Sequence, residues 1–168
     1  MCNENEGQSF SIYNGVKNAK FENIVTLDGD GQNDPSDIRY LLKIYEEKKL
    51  NLIGGIRKNR KDNYLKILSS KIANKFRSLI LSDNCPDTGC GLKIFNKNFF
   101  LKIPYFNGMH RFLPALFLAL NGKILFRDVN HRARVYGKSN YDNLYRGLIG
   151  IKDLQKIRLI IKKLKKNV

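Results

Sequence analysis

VTLDGDGQNDP, residues 25–35, is an apolar stretch that runs into three acids, two glycines and a proline within eleven residues. With the two residues ahead of it, NIVTLD (23–28) reads as a buried strand, apolar and bounded by turn formers. Pro35 suits the first turn of a following helix, since its fixed φ is helical and its missing N–H would be unpaired there anyway. That helix is predicted to reach about Lys49, with Ile38, Leu41, Leu42 and Tyr45 on one face. A strand, an acidic turn and a helix in succession are the building unit of a layered α/β domain.

Working outward, residues 9–19 have a loose helical period upstream, and LNLIGGIR (50–57) is a second strand interrupted by Gly54 and Gly55. A long basic helix is predicted over about 62–82, with Leu65, Leu68, Ile72, Phe76 and Leu79 on its apolar face. Turn-rich DNCPDTGCG (83–91) follows, then strand-like LKIF (92–95), a helix over about 108–121 and strand-like KILFRDV (123–129). From Tyr141 the pattern is helical again. Strands alternating with helices predict an α/β fold with a mostly parallel sheet.

The chain has 168 residues and is 42% hydrophobic, enough for one domain with a real core. Lys and Arg outnumber Asp and Glu by 31 to 15, a formal charge of +16, which points to a polyanionic partner. Cys2, Cys85 and Cys90 form no dense disulfide framework, and the N-terminus lacks the order of a signal peptide, so a reducing, cytoplasmic setting is expected. No apolar run approaches the roughly 18 residues that span a bilayer, so membrane contact is expected to be peripheral.

Asp28 and Asp30 fall at the carboxyl end of the first strand, where ligands gather in open α/β sheets. Two carboxylates one residue apart suit Mg²⁺ or Mn²⁺, which take one or two carboxylates plus substrate phosphate oxygens. The alternative is an acidic strand-to-helix turn, with Asp34 or a neighbour capping the helix. Cys85, Cys90, His110 and His131 are a poor zinc set, because the histidines lie in separate elements.

Further stretches keep a common order and spacing: GQSFSIYNGVKNA (7–19), DGDGQNDPSDI (28–38), GGIRKNR (54–60), PDTGCGLKIF (86–95) and HRARVYGKSNY (131–141). Together they resemble the GT-A family-2 glycosyltransferases of the polyprenyl-phosphate (dolichol-phosphate mannosyltransferase-like) type, over about residues 7–150. The resemblance implies a Rossmann-like GT-A fold, incomplete at the N-terminus because the chain starts after the family's first strand. It implies metal-dependent, inverting sugar transfer from a nucleotide-sugar donor to a polyprenyl (dolichyl or undecaprenyl) phosphate. Asp28, Asp30 and Gln32 would hold the metal and the donor diphosphate, and Asp87 would line the active site. Arg57, Lys66, Ser70 and Arg134 would bind the acceptor phosphate, Lys66 standing where the family usually has arginine.

On this reading residues 1–140 are the C-terminal portion of a GT-A domain. Residues 141–168 form a basic amphipathic tail, with seven Lys or Arg against one Asp between 151 and 168, suited to a membrane surface. The expected location is cytoplasmic, peripheral at the inner face of the cell membrane and in contact with anionic lipid. The rival readings are a degenerate, non-catalytic relative or a nucleic-acid-binding module. The second lacks recognition signatures and leaves the acids unexplained, so no nucleic acid is expected as a partner.

Overall fold

A computed structural model describes residues 7–58, 64–132 and 143–166. In chain order the elements are α1 (Gln8–Asn18), β1 (Asn23–Thr26), α2 (Asp37–Glu47), β2 (Leu52–Arg57), α3 (Tyr64–Leu81), β3 (Lys93–Asn96), α4 (Lys97–Leu101), a 3-10 turn (Met109–Arg111), α5 (Leu113–Ala119), β4 (Ile124–Val129) and α6 (Asn143–Lys166). The predicted strands all form, but β1, expected to be buried, is half exposed: it stands at the end of the described sheet, pairs only with β3, and leaves Val25 and Leu27 accessible. One helix is added and one predicted helix is shortened, both for local reasons. The Asn96 side chain accepts from Phe99 N–H at 3.0 Å and so starts α4, a short helix the periodicity does not reveal. The helix expected over 108–121 is shortened to α5, because Pro114 offers no N–H to His110 four residues back.

The sheet order is β1-β3-β2-β4, with β3 antiparallel to both neighbours and β2 parallel to β4. The expectation of a mostly parallel sheet therefore holds for strand direction, since β1, β2 and β4 point the same way, but not for pairing. The reason is where β3 starts. The turn-rich segment after α3 returns to the carboxyl end of β2, where Asp87 bonds Arg57. A strand that begins at that end must run back against its neighbours.

Helices cover both faces. On β3, successive residues Ile94 and Phe95 point to opposite faces, and both are fully buried. Ile94 joins Leu41 and Tyr45 of α2, Ile53, Leu92 and Val129. Phe95 joins Val16, Phe100, Leu116 and Phe117, together with Leu154, Ile157 and Leu164 of α6, so the basic tail shares this core. Gly55 is required by close packing, since a Cβ there would lie 2.7 Å from a Val129 methyl and 2.8 Å from Cys90 Sγ.

The long basic helix α3 differs from its sequence prediction in what its apolar face meets. Ile72, Phe76 and Leu79 are 62%, 58% and 73% exposed. Ile80 and Leu81 at the end of the helix join the core, the side chains of Leu65 and Leu68 lie outside the described residues, and polar groups add a further hold. Arg77 makes a two-pronged ion pair with buried Asp83 at 2.7 and 2.9 Å, and Asp83 also accepts from Cys85 N–H at 3.1 Å. Asp83→Ala strands a buried guanidinium and should cost about 3–5 kcal/mol, measured by urea unfolding. A loss below about 1 kcal/mol would mean the pair does not anchor the helix.

Candidate functional site

The site is built on the carboxyl ends of β1 and β2. Thr26, the last residue of β1, donates from Oγ1 to Gly91 O at 2.9 Å. Two residues on, the Asp28 carboxyl lies against Gly91, where any Cβ would collide with it. The acid loop is internally braced: Asp28 N–H donates to Asn33 Oδ1 at 2.9 Å, and Gln32 N–H to Asp30 Oδ1 at 3.1 Å. Burial raises the Asp28 carboxyl above the ordinary carboxylate range, the buried Lys93 ammonium draws it back, and the like charge of Asp30 raises it further. Lys93 itself donates to Cys90 O.

The third acid plays another part. Asp34 Oδ1 accepts from Ser36 N–H and Oγ at 3.0 and 2.8 Å, which shapes the turn into α2, and it pairs with Arg132 at 2.8 Å. These hydrogen bonds hold its carboxyl below the usual range, the Ser36 N–H contributing most. The two readings of the acidic run thus divide: Asp34 shapes the start of the helix, while Asp28 and Asp30 sit at the strand end.

Opposite, Arg57 at the end of β2 grips Asp87. Nε and one terminal nitrogen donate to its two oxygens at 2.7 Å each, and Arg57 N–H adds a third bond at 3.2 Å. The Asp87 side chain is buried and that of Arg57 partly so, at 8% and 15% exposure. The same turn segment packs Gly89 against the Arg57 guanidinium and Gly91 against the Asp28 carboxyl, which brings the ends of β1 and β2 together.

Lys66 and Ser70 lie four residues apart near the start of α3, and their side chains are outside the described residues. Arg134 also lies outside them, but the segment leading to it is stitched to the acid loop. Asn33 and His131 form an antiparallel bridge, and Arg132 N–H donates to Gln32 O at 2.8 Å. His110 pairs through Nδ1 with Ser9 Oγ at 2.7 Å, and Ser9 accepts from Gly108 N–H at 2.8 Å, a clip between α1 and the 3-10 turn. Buried Cys85 and Cys90 have thiols pushed up by desolvation, Cys85 to about 11, which leaves both neutral at physiological pH. Sequence reading missed Asn33, Gly91 and Lys93. Asn33 was legible as a turn former inside the acid loop, whereas Lys93 is brought near Asp28 by the pairing of β3 with β1.

The family model for glycosyl transferase family 2 matches residues 1–103. The chain belongs to glycosyl transferase family 2. Its α/β sheet with the acids at a strand end is part of a GT-A fold. Among similar curated proteins, the dodecaprenyl-phosphate galacturonate synthase of Rhizobium johnstonii is 36% identical over 140 residues, 82% of this chain and 41% of that protein. The undecaprenyl-phosphate 4-deoxy-4-formamido-L-arabinose transferases of Pectobacterium carotovorum and Photorhabdus laumondii are 29% and 30% identical, over 86% and 84% of this chain and 44% and 43% of theirs. The chain therefore spans less than half the length of these relatives.

Proposed function

We propose that the protein transfers a sugar from a nucleotide-sugar donor to a polyprenyl phosphate, dolichyl or undecaprenyl, with inversion at the anomeric carbon. The observation that carries this reading is the convergence of the Asp28–Asp30 loop and Arg57 on one end of the sheet, where the segment Gly89–Gly91 packs against both Arg57 and Asp28. The relatives' names support the acceptor class.

The donor set fits Mg²⁺ or Mn²⁺. Asp28 and Asp30 are hard oxygen donors whose mutual repulsion favours a shared cation. Among the described residues no cluster of three or more His, Cys, Asp or Glu completes a metal cage, so donor phosphate oxygens would share the coordination with Asp28, Asp30 and Gln32. The chemistry such a cation supplies when bound is charge neutralisation on the departing diphosphate. The acceptor phosphate is already ionised at neutral pH and attacks without a general base. Its oxygen bonds to the anomeric carbon as the carbon–oxygen bond to the diphosphate breaks, and the electron pair leaves with the nucleoside diphosphate. Arg57, Lys66, Ser70 and Arg134 would attract and orient this second anion, which the donor would otherwise repel.

Membrane contact belongs to the same reading. No described helix is long and apolar enough to cross a bilayer. On α3, Ile72, Phe76 and Leu79 are exposed, and an open groove of about 600 Å³ where the end of α3 meets α6 is lined by Ile80, Leu81, Leu159 and Ile161 together with Arg158, Lys162 and Lys165. Apolar surface beside cationic side chains suits an anionic membrane, such as the inner face of the cell membrane.

The test is transfer of radiolabel from a panel of nucleotide sugars to undecaprenyl phosphate by the full-length protein. No lipid-linked product from any donor would sink the proposal. In the same assay Lys66→Arg, which restores a bidentate fork, should lower the acceptor KM by about two- to fivefold. A raised acceptor KM would remove Lys66 from the phosphate site.

A further inference from the structure

Asp87 lies at the same sheet end as Asp28 and Asp30, and its carboxylate is held by Arg57. Arg57 donates three hydrogen bonds to it, two from the guanidinium at 2.7 Å and one from the backbone at 3.2 Å. The guanidinium is pressed against Gly89, where a Cβ would lie 2.7 Å from its terminal nitrogen. The residues flanking Asp87 are pinned to α3. Thr88 Oγ1 donates to Asn74 Oδ1 at 2.8 Å, and Asn74 Nδ2 donates to Pro86 O at 3.2 Å.

We infer that Asp87 is a positioning residue for Arg57: it sets the guanidinium at the end of β2 in fixed relation to α3, so that the acceptor phosphate meets a preformed cation. Both of its carboxylate oxygens are taken up by Arg57. This rests on the reading of Arg57 as an acceptor-phosphate residue. The physical ground is preorganisation. A free arginine side chain samples many rotamers, and a two-pronged carboxylate on a loop anchored at both flanks removes that freedom before the ligand arrives. The loop is anchored on α3, which also carries Lys66 and Ser70, so one clamp would register Arg57 with the other acceptor groups.

The experiment uses the full-length protein, with farnesyl phosphate as a soluble acceptor probe and Mn²⁺ as the donor-side probe, each titrated calorimetrically. Arg57→Ala should raise the farnesyl phosphate Kd by about 10- to 100-fold, as expected for a lost charge-assisted hydrogen bond. Asp87→Asn should raise it by about tenfold, and the double variant should be no worse than Arg57→Ala alone, because Asp87 acts through the guanidinium. Mn²⁺ affinity should be unchanged in all three. Asp87→Glu, which keeps the charge and moves the carboxylate by one methylene, should also weaken farnesyl phosphate binding and so carries the test if Asp87→Asn fails to fold. Unchanged farnesyl phosphate affinity in the Asp87 variants, additive losses in the double variant, or weakened Mn²⁺ binding by Asp87→Asn would each overturn the inference. If Arg57→Ala itself leaves farnesyl phosphate binding intact, the acceptor assignment of Arg57 is what has failed, and the inference falls with it.

Discussion

Asp30→Ala in the full-length protein should lower sugar transfer to undecaprenyl phosphate by about 10²- to 10³-fold, the scale of removing one preorganised charge partner from a developing anion. The loss should appear with Mn²⁺ in excess and at saturating acceptor, because the residues proposed to hold the acceptor, on β2 and α3, are untouched. Asp28 gives a companion measurement that needs no turnover. Burial and Asp30 raise its carboxyl above the ordinary 3.8, so the fold disfavours its ionised form. A raised carboxylate costs stability as pH rises from that ordinary value through the folded one, and the cost is fully present at neutral pH. Asp28→Asn should therefore melt higher than the parent protein without metal at pH 7. Mn²⁺ at about 100 times its Kd should stabilise the parent by about 2.7 kcal/mol and the variant hardly at all. Transfer unchanged in Asp30→Ala, or an equal Mn²⁺ shift in Asp28→Asn, would separate these acids from the cation.

The second large effect concerns the membrane. Replacing Ile72, Phe76 and Leu79 together by Ser should reduce partition onto anionic liposomes by about 100-fold or more, since each large apolar side chain is worth roughly 1.5–3 kcal/mol when buried. All three are largely exposed, so the fold should survive, and a melting curve would show it. Changing Arg158, Lys162 and Lys165 to Gln should weaken binding at low salt and much less at high salt, because only the screened part is removed. Liposome binding that survives the triple Ser change would place the membrane surface elsewhere.

The existence of the opening strand, its acidic loop and the following helix was legible at once, because an apolar run, turn chemistry and period-3.6 patterning are local, but the burial expected of that strand was not met, since what covers Val25 and Leu27 is a tertiary matter. The linked motifs likewise pointed to the family from order and spacing alone. The sequence could not show which acid did what, because Asp34 is diverted by Ser36 and by Arg132, nearly a hundred residues away. Nor could it show that β3 enters between β1 and β2 and runs against both, which puts Lys93 near Asp28. The pairing of Arg57 with Asp87 depends on the same return of the chain to the end of β2. For α3, periodicity correctly marked an apolar face, but an apolar stripe states only that something apolar should cover it. Whether that cover is the protein's own core is decided by the packing of the other helices, and here α4, α5 and α6 fill the core while Ile72, Phe76 and Leu79 are left facing outward.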